Sequence, residues 1–240
     1  MTREYYKWHS PFLNREMELL VFGNGGTPVL FFPTRTARFY DYENWKVVAA
    51  VEDKIDAGLL QLFCVDSVDI ESFYANIHPA DKIKRHRDYE RYILYEVLRL
   101  IRHQNPNPLT VAGCSFGGYH AVNIAFRHPG YFSKVVGMSA RYDLTWTAPQ
   151  FADLLDGYFN DDIYFNMPAM FIPNLTDEGL LHKIRRQKII LAVGELDPFI
   201  ENNRKLSDAL TGKNIDHELI IWEEEAHRAR YWRQMVQLYL

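Results

Sequence analysis

Cysteine is scarce in this chain: only Cys64 and Cys114 among 240 residues. That excludes a disulfide framework, and there is no paired-cysteine metal motif either. No apolar run approaches the 18 residues of a membrane span. Charge of either sign is not in excess, with 27 Lys and Arg against 31 Asp and Glu and a net charge of −4. Such a balance offers no basic footprint for nucleic acid. There is no His-Glu-x-x-His, so no metal is expected. No Gly-x-Gly-x-x-Gly follows the early strands, so no dinucleotide cofactor is expected. The opening Met-Thr-Arg-Glu-Tyr-Tyr-Lys-Trp lacks the apolar core of a signal peptide. Together with two thiols in apolar contexts, this makes the cytoplasm the expected location.

What is present fits a globular α/β protein. Hydrophobic residues make up 48% and charged residues 24%, and the length suits one domain over 1–240. Aromatic content is high at 15%, more than a core needs, so part of it is available to line a pocket. Strands are expected at Glu4–His9, Glu16–Phe22 and Val29–Phe32, separated by turn residues in an antiparallel start. A helix is expected over Asn44–Asp56 and a strand over Leu59–Val65. A long helix opens at His78-Pro79 and runs to about Gln104, with Tyr89, Ile93, Val97 and Ile101 on its buried face. Further strands follow at Lys134–Met138, Lys188–Val193 and Glu218–Trp222, with helices at Glu201–Leu210 and Arg228–Leu238. This alternation predicts a mostly parallel, twisted sheet with antiparallel N-terminal strands and helices on both faces. Residues 140–186 are too long for an ordinary crossover. They carry Trp146, Phe151, Tyr158, Phe159, Tyr164 and Phe165 and read as an inserted cap; a helical layer extending the core is the alternative.

The most informative stretch is Leu109–Gly118, Leu-Thr-Val-Ala-Gly-Cys-Ser-Phe-Gly-Gly, followed by a helix at Tyr119–Arg127. A strand, Gly-x-Ser-x-Gly and a helix, in that order, form a nucleophile elbow. Gly113 and Gly117 leave room for a turn tight enough to hold Ser115 out at the top of the sheet. A serine nucleophile needs a base, and the base needs an orienting acid, in the chain order Ser, Asp or Glu, His. The strand ending at Val193 leads into Gly194-Glu195-Leu196-Asp197-Pro198, which offers Asp197 as the acid and Glu195 as its competitor. The last strand leads through three glutamates to His227, the expected base. His217 and His182 lie at the wrong edge and in the cap; His120 and His128 ride the helix behind the nucleophile.

The oxyanion hole is expected from the Phe116 N–H and the Arg35 N–H, with Thr34 as the second choice. Trp146 and Phe159 are the expected substrate-binding walls, suited to short or medium acyl groups.

These residues resemble the putative esterase family, the esterase D type of α/β-hydrolase. The matching stretches are Lys7-Trp8-His9-Ser10-Pro11-Phe12-Leu13-Asn14-Arg15-Glu16-Met17, the elbow, His128-Pro129-Gly130-Tyr131-Phe132, the Gly194–Asp197 loop and His227. The resemblance implies an α/β-hydrolase fold and the same Ser115, Asp197 and His227. It also implies hydrolysis of an ester or thioester of a small acyl group. Members of this type include carboxylesterases, formylglutathione thioesterases, feruloyl and siderophore esterases, and acyltransferases. Two loops depart from the common pattern: Pro33-Thr34 stands where many members have His-Gly, and Arg228-Ala229 where many have Asp-Trp. Acyl transfer by the same residues and a non-catalytic binding role are the rival functions.

Overall fold

The computed structural model describes residues 1–240. Eight strands form one sheet: β1 (Arg3–Ser10), β2 (Arg15–Phe22), β3 (Thr27–Phe32), β4 (Leu60–Val65), β5 (Thr110–Cys114), β6 (Lys134–Met138), β7 (Lys188–Gly194) and β8 (Glu218–Trp222). Their order across the sheet is β1-β2-β4-β3-β5-β6-β7-β8. β1 and β2 pair antiparallel, as do β2 and β4; every other neighbour is parallel. The helices are α1 (Asp41–Asn44), α2 (Glu52–Asp56), α3 (Pro79–Tyr92), α4 (Leu98–Gln104), α5 (Phe116–Arg127), α6 (Asp161–Tyr164), α7 (Pro168–Asn174), α8 (Glu178–Arg185), α9 (Ile200–Gly212) and α10 (Ala229–Tyr239).

The central strands are apolar without alternation because helices cover both faces of the sheet. Side chains still alternate between two cores. Leu30, Phe32, Val111, Val135, Ile189 and Leu191 pack with α3, α4, α5 and α9 on one face. Val29, Phe31, Ala112, Cys114, Val136 and Met138 pack with α1, α2 and α10 on the other. Cys64 and Cys114 are buried and unpaired in this second core.

Two expected helices are modified. The stretch Asn44–Asp56 is broken into α1, a 3-10 turn at Ala49–Val51 and α2. Lys46 adopts φ +60°, which no α-helix tolerates. The long helix does run from Pro79 to Gln104, but through a π-helical turn at Ile93–Val97. A four-residue apolar repeat drifts about 40° per step around a helix of 3.6 residues per turn. One wide turn absorbs the drift, and Tyr89, Ile93, Val97 and Ile101 all stay buried.

The 140–186 segment divides its work. Its second half extends the main core, with Phe171 and Ile172 of α7 and Leu181 and Ile184 of α8 buried there. Its first half supplies Leu144, Leu155, Ile163 and Met167 to a small cluster around Phe116, Tyr119 and Phe73. The segment thus packs partly into the main core and partly around Phe116.

Candidate active site

β5 ends in the elbow. Ser115 has φ +55° and ψ −124°, a backbone conformation that costs energy for any L-residue. The surroundings enforce it. A Cβ on Gly113 would fall inside the Gly117 carbonyl, and one on Gly117 would strike the carbonyls of Phe32 and Pro33. The Ser115 N–H donates to the Met138 carbonyl at 2.7 Å, fixing the turn against β6. Tyr42 fixes it against the other neighbour: its hydroxyl donates to the Phe32 carbonyl at 2.8 Å and accepts from the Cys114 N–H at 2.9 Å.

The loops after β7 and β8 bring two distant residues to this serine. His227 Nε2 lies 2.9 Å from Ser115 Oγ, and His227 Nδ1 lies 2.8 Å from Asp197 Oδ2. Asp197 is 1% exposed and accepts the Phe199 N–H at 2.9 Å through its other oxygen. A carboxylate only accepts, so the proton of a neutral His227 sits on Nδ1. Nε2 is thereby left to accept from the Ser115 hydroxyl. Glu195, the competing acid, points elsewhere and accepts from the Glu224 N–H at 3.3 Å.

Close approach of the two loops depends on Gly194, whose Cβ would collide with the Glu225 carbonyl. Main-chain bonds then clip them together, Glu195 N–H to the Trp222 carbonyl at 2.8 Å and Leu196 N–H to the Glu224 carbonyl at 3.0 Å. Ser139, at φ +51° just beyond β6, donates to the Ala226 carbonyl at 2.8 Å and accepts from the Trp232 indole at 3.2 Å. It steadies the residue before His227. Sequence reasoning missed this role, because a lone serine after a strand carries no spacing signal.

The loop after β3 is the fourth part. Thr34 and Arg35 face Ser115 and Phe116 across a cavity of about 290 Å³. The N–H groups of Thr34, Arg35 and Phe116 donate to no other protein group. The loop is tied down through carboxylates. Asp69 accepts from the Thr36 N–H at 3.2 Å and from His120 Nε2 at 2.9 Å. Asp66 accepts from Arg38 Nε at 2.8 Å. Burial raises the Asp66 carboxyl above the usual range, and the Arg38 guanidinium works against that rise. His120 thus braces the loop from behind the elbow, and His128 pairs with Glu90 at 3.0 Å away from it.

The cavity wall differs from expectation. Besides the residues above it is made by Tyr74, Arg141, Phe151, Phe199, Glu225 and Trp232. Trp146 and Phe159 are not part of it. The Trp146 indole donates to the Pro198 carbonyl at 3.3 Å and lies under Lys205, so it packs on the outside of the Asp197 loop. Phe159 is 53% exposed and meets Tyr164 edge-on. The chain turns back between them at the Ala148–Phe151 bridge, and that turn aims Phe151 at Phe199 instead, 4.6 Å between ring centroids. No group of three His, Cys, Asp or Glu side chains is gathered to hold a metal ion. No helix is long and apolar enough to cross a membrane.

Comparison with known proteins agrees with this architecture. No curated protein sequence matches the chain. Among solved structures, a ferulic acid esterase superposes with TM-score 0.79 at 16% identity, covering 99% of this chain and 95% of its own. An S-formylglutathione hydrolase, FrmB, from Staphylococcus aureus gives TM-score 0.69 at 17% identity, covering 99% and 96%. An S-formylglutathione hydrolase from Agrobacterium tumefaciens gives 0.72 at 15%, covering 99% and 94%. At these identities the likeness is one of fold. The sequence profile of the putative esterase family matches residues 10–235, nearly the whole chain, and the protein therefore belongs to that family.

Proposed function

We propose that this esterase cleaves a small carboxylic ester through an acyl-enzyme on Ser115, with His227 as general base and Asp197 as its orienting acid. The observation that carries this reading is the unbroken chain of contacts from Ser115 Oγ to His227 Nε2 and from Nδ1 to Asp197. His227 takes the hydroxyl proton as Ser115 Oγ attacks the carbonyl carbon. The carbonyl oxygen becomes an oxyanion and is met by the free N–H groups of Phe116 and Arg35, with Thr34 in reserve. Collapse of the tetrahedral species expels the alcohol, or thiol, which leaves with the proton from His227. A water then repeats the sequence: it gives a proton to His227 as it attacks the acyl carbon, and collapse breaks the bond to Ser115 Oγ, which takes that proton back as the acid leaves. Asp197 keeps its charge throughout and stabilises the imidazolium that forms twice per turnover. The buried, unpaired thiols of Cys64 and Cys114 suit a reducing compartment, and the proposed location is the cytoplasm.

Ser115→Ala tests the reading. Hydrolysis of 4-nitrophenyl acetate should fall by several orders of magnitude, to the level left by binding and the oxyanion hole alone. Undiminished turnover in a protein that still folds would refute it.

A further inference from the structure

Beyond the reaction itself, and resting on that reading of the site, we propose that the cavity beside Ser115 selects esters that carry a second, anionic group. Arg35 and Arg141 bind that group.

Arg141 is 3% exposed, yet no carboxylate lies within 4 Å of it. Its Nε and Nη2 donate to the carbonyls of Asp143, Leu144, Trp146 and Ala152 at 2.6–3.1 Å. Its Nη1 donates to no carbonyl or carboxylate. Carbonyl dipoles orient a guanidinium but do not cancel its charge, so a buried one without a counter-ion is costly unless an anion arrives. The nearest carboxylates, Asp143 and Asp153, attract Arg141 through space but touch other groups. Asp143 accepts from the N–H and hydroxyl of Thr145, and Asp153 accepts from the N–H groups of Leu155 and Gly157.

Arg35, on the loop after β3, is exposed rather than buried. Its guanidinium carbon stands 5.6 Å from the Tyr74 ring centroid and 5.9 Å from that of Phe151, and it makes no ion pair. Tyr74 lies beside both arginines, its phenol held neutral by burial. One carboxylate shares the cavity, Glu225, but it is half-exposed and has Arg228 at 3.8 Å. Asp197 is buried behind His227. Two guanidiniums with no carboxylate in contact, in a cavity of about 290 Å³ that also holds Ser115, fit a carboxylate borne by a small substrate.

Two matched ester pairs decide this. In one, the charge is on the acyl half: 4-nitrophenyl hydrogen adipate against 4-nitrophenyl methyl adipate. In the other it is on the leaving group: 4-acetoxybenzoate against methyl 4-acetoxybenzoate. The expected result is a kcat/KM at least tenfold higher for the anionic member of one pair. That pair also identifies which half of the substrate carries the charge. Arg35→Gln and Arg141→Lys should each cut this ratio about tenfold, chiefly through KM. Equal kcat/KM within both pairs would overturn the anion site and leave the hydrolase reading intact. Calorimetric titration with adipate is independent of turnover. Binding to the parent protein that is lost in Arg35→Gln supports the site, and no binding to the parent overturns it. Adipate binding without turnover of any of the four esters would instead support the anion site and contradict the hydrolase reading.

Discussion

At the scale of single residues, the choice between Asp197 and Glu195 turns on direction rather than charge. Both lie in one short loop after β7. Only Asp197 is turned inward, 2.8 Å from His227, while Glu195 reaches the Glu224 N–H. Asp197→Asn should keep the loop's shape but offer His227 a group that can donate as well as accept. The ring can then settle with its proton on Nε2, where it cannot take one from Ser115. A loss of about three to four orders of magnitude in kcat is expected at neutral pH. Glu195→Gln should stay within about twofold of the parent. Steady-state kinetics on the two variants side by side check the assignment, and equal losses in both would contradict it. The grouping of Ser115, His227 and Asp197 was readable in the sequence because order along the chain and position after a strand are linear signals. Ser139 and Gly194 were not, because what makes them matter is a neighbour contributed by a distant loop.

Elements show where linear reading stops. Every central strand was legible from its apolar run, and β5 and α5 from the glycine pattern between them. The break at Lys46 was not, since lysine carries no turn signal; Tyr42 and Val47, on either side of its left-handed backbone, are both buried in the core. Nor was the cavity wall, because the aromatic count of the 140–186 segment says nothing of which rings turn inward. The bridge at Ala148–Phe151 decides that, and it favours Phe151 over Trp146 and Phe159. Phe151→Ala should therefore change the rank order of a 4-nitrophenyl ester series of rising acyl length. Trp146→Ala should keep that order. Each methylene that loses its apolar wall gives up about 0.8 kcal/mol, enough for a fewfold change in kcat/KM per carbon. Gly194→Ala tests the junction of the two loops. With the Glu225 carbonyl in the way, the loops must part, costing about 2 kcal/mol of stability and much of the activity together. Thermal unfolding and kinetics on the same sample would reveal a mere surface loop if neither changed.

For the molecule as a whole, the polar layer behind the elbow should set the acid limit of stability. His86 is fully buried, with Nε2 3.2 Å from Asn166 Oδ1 and no partner at all for Nδ1. Burial, aided by nearby His120, lowers it to about 3 from its ordinary value. The unfolded chain binds a proton there near pH 6.5 and the folded chain does not. Stability is therefore fully present above about pH 6.5 and declines as pH falls toward 3, by a few kcal/mol in all. Glu90 adds to the same slope at lower pH. Burial alone would raise its carboxyl, but hydrogen bonds from His128 and Arg127 hold it well below the usual range. Melting temperatures from pH 7 to pH 4 should fall steeply in the parent and less steeply in His86→Gln; parallel curves would assign the acid limit to other groups. The sheet, its two cores and this layer together hold one serine in a strained turn, and the central claim is that this serine alone is the nucleophile. Labelling with a fluorophosphonate, followed by intact-mass and peptide mass spectrometry, tests it most directly. The account predicts one adduct per chain, on the peptide containing Ser115, and none in Ser115→Ala. An adduct on Ser139 or any other serine, with Ser115 unmodified, would contradict it.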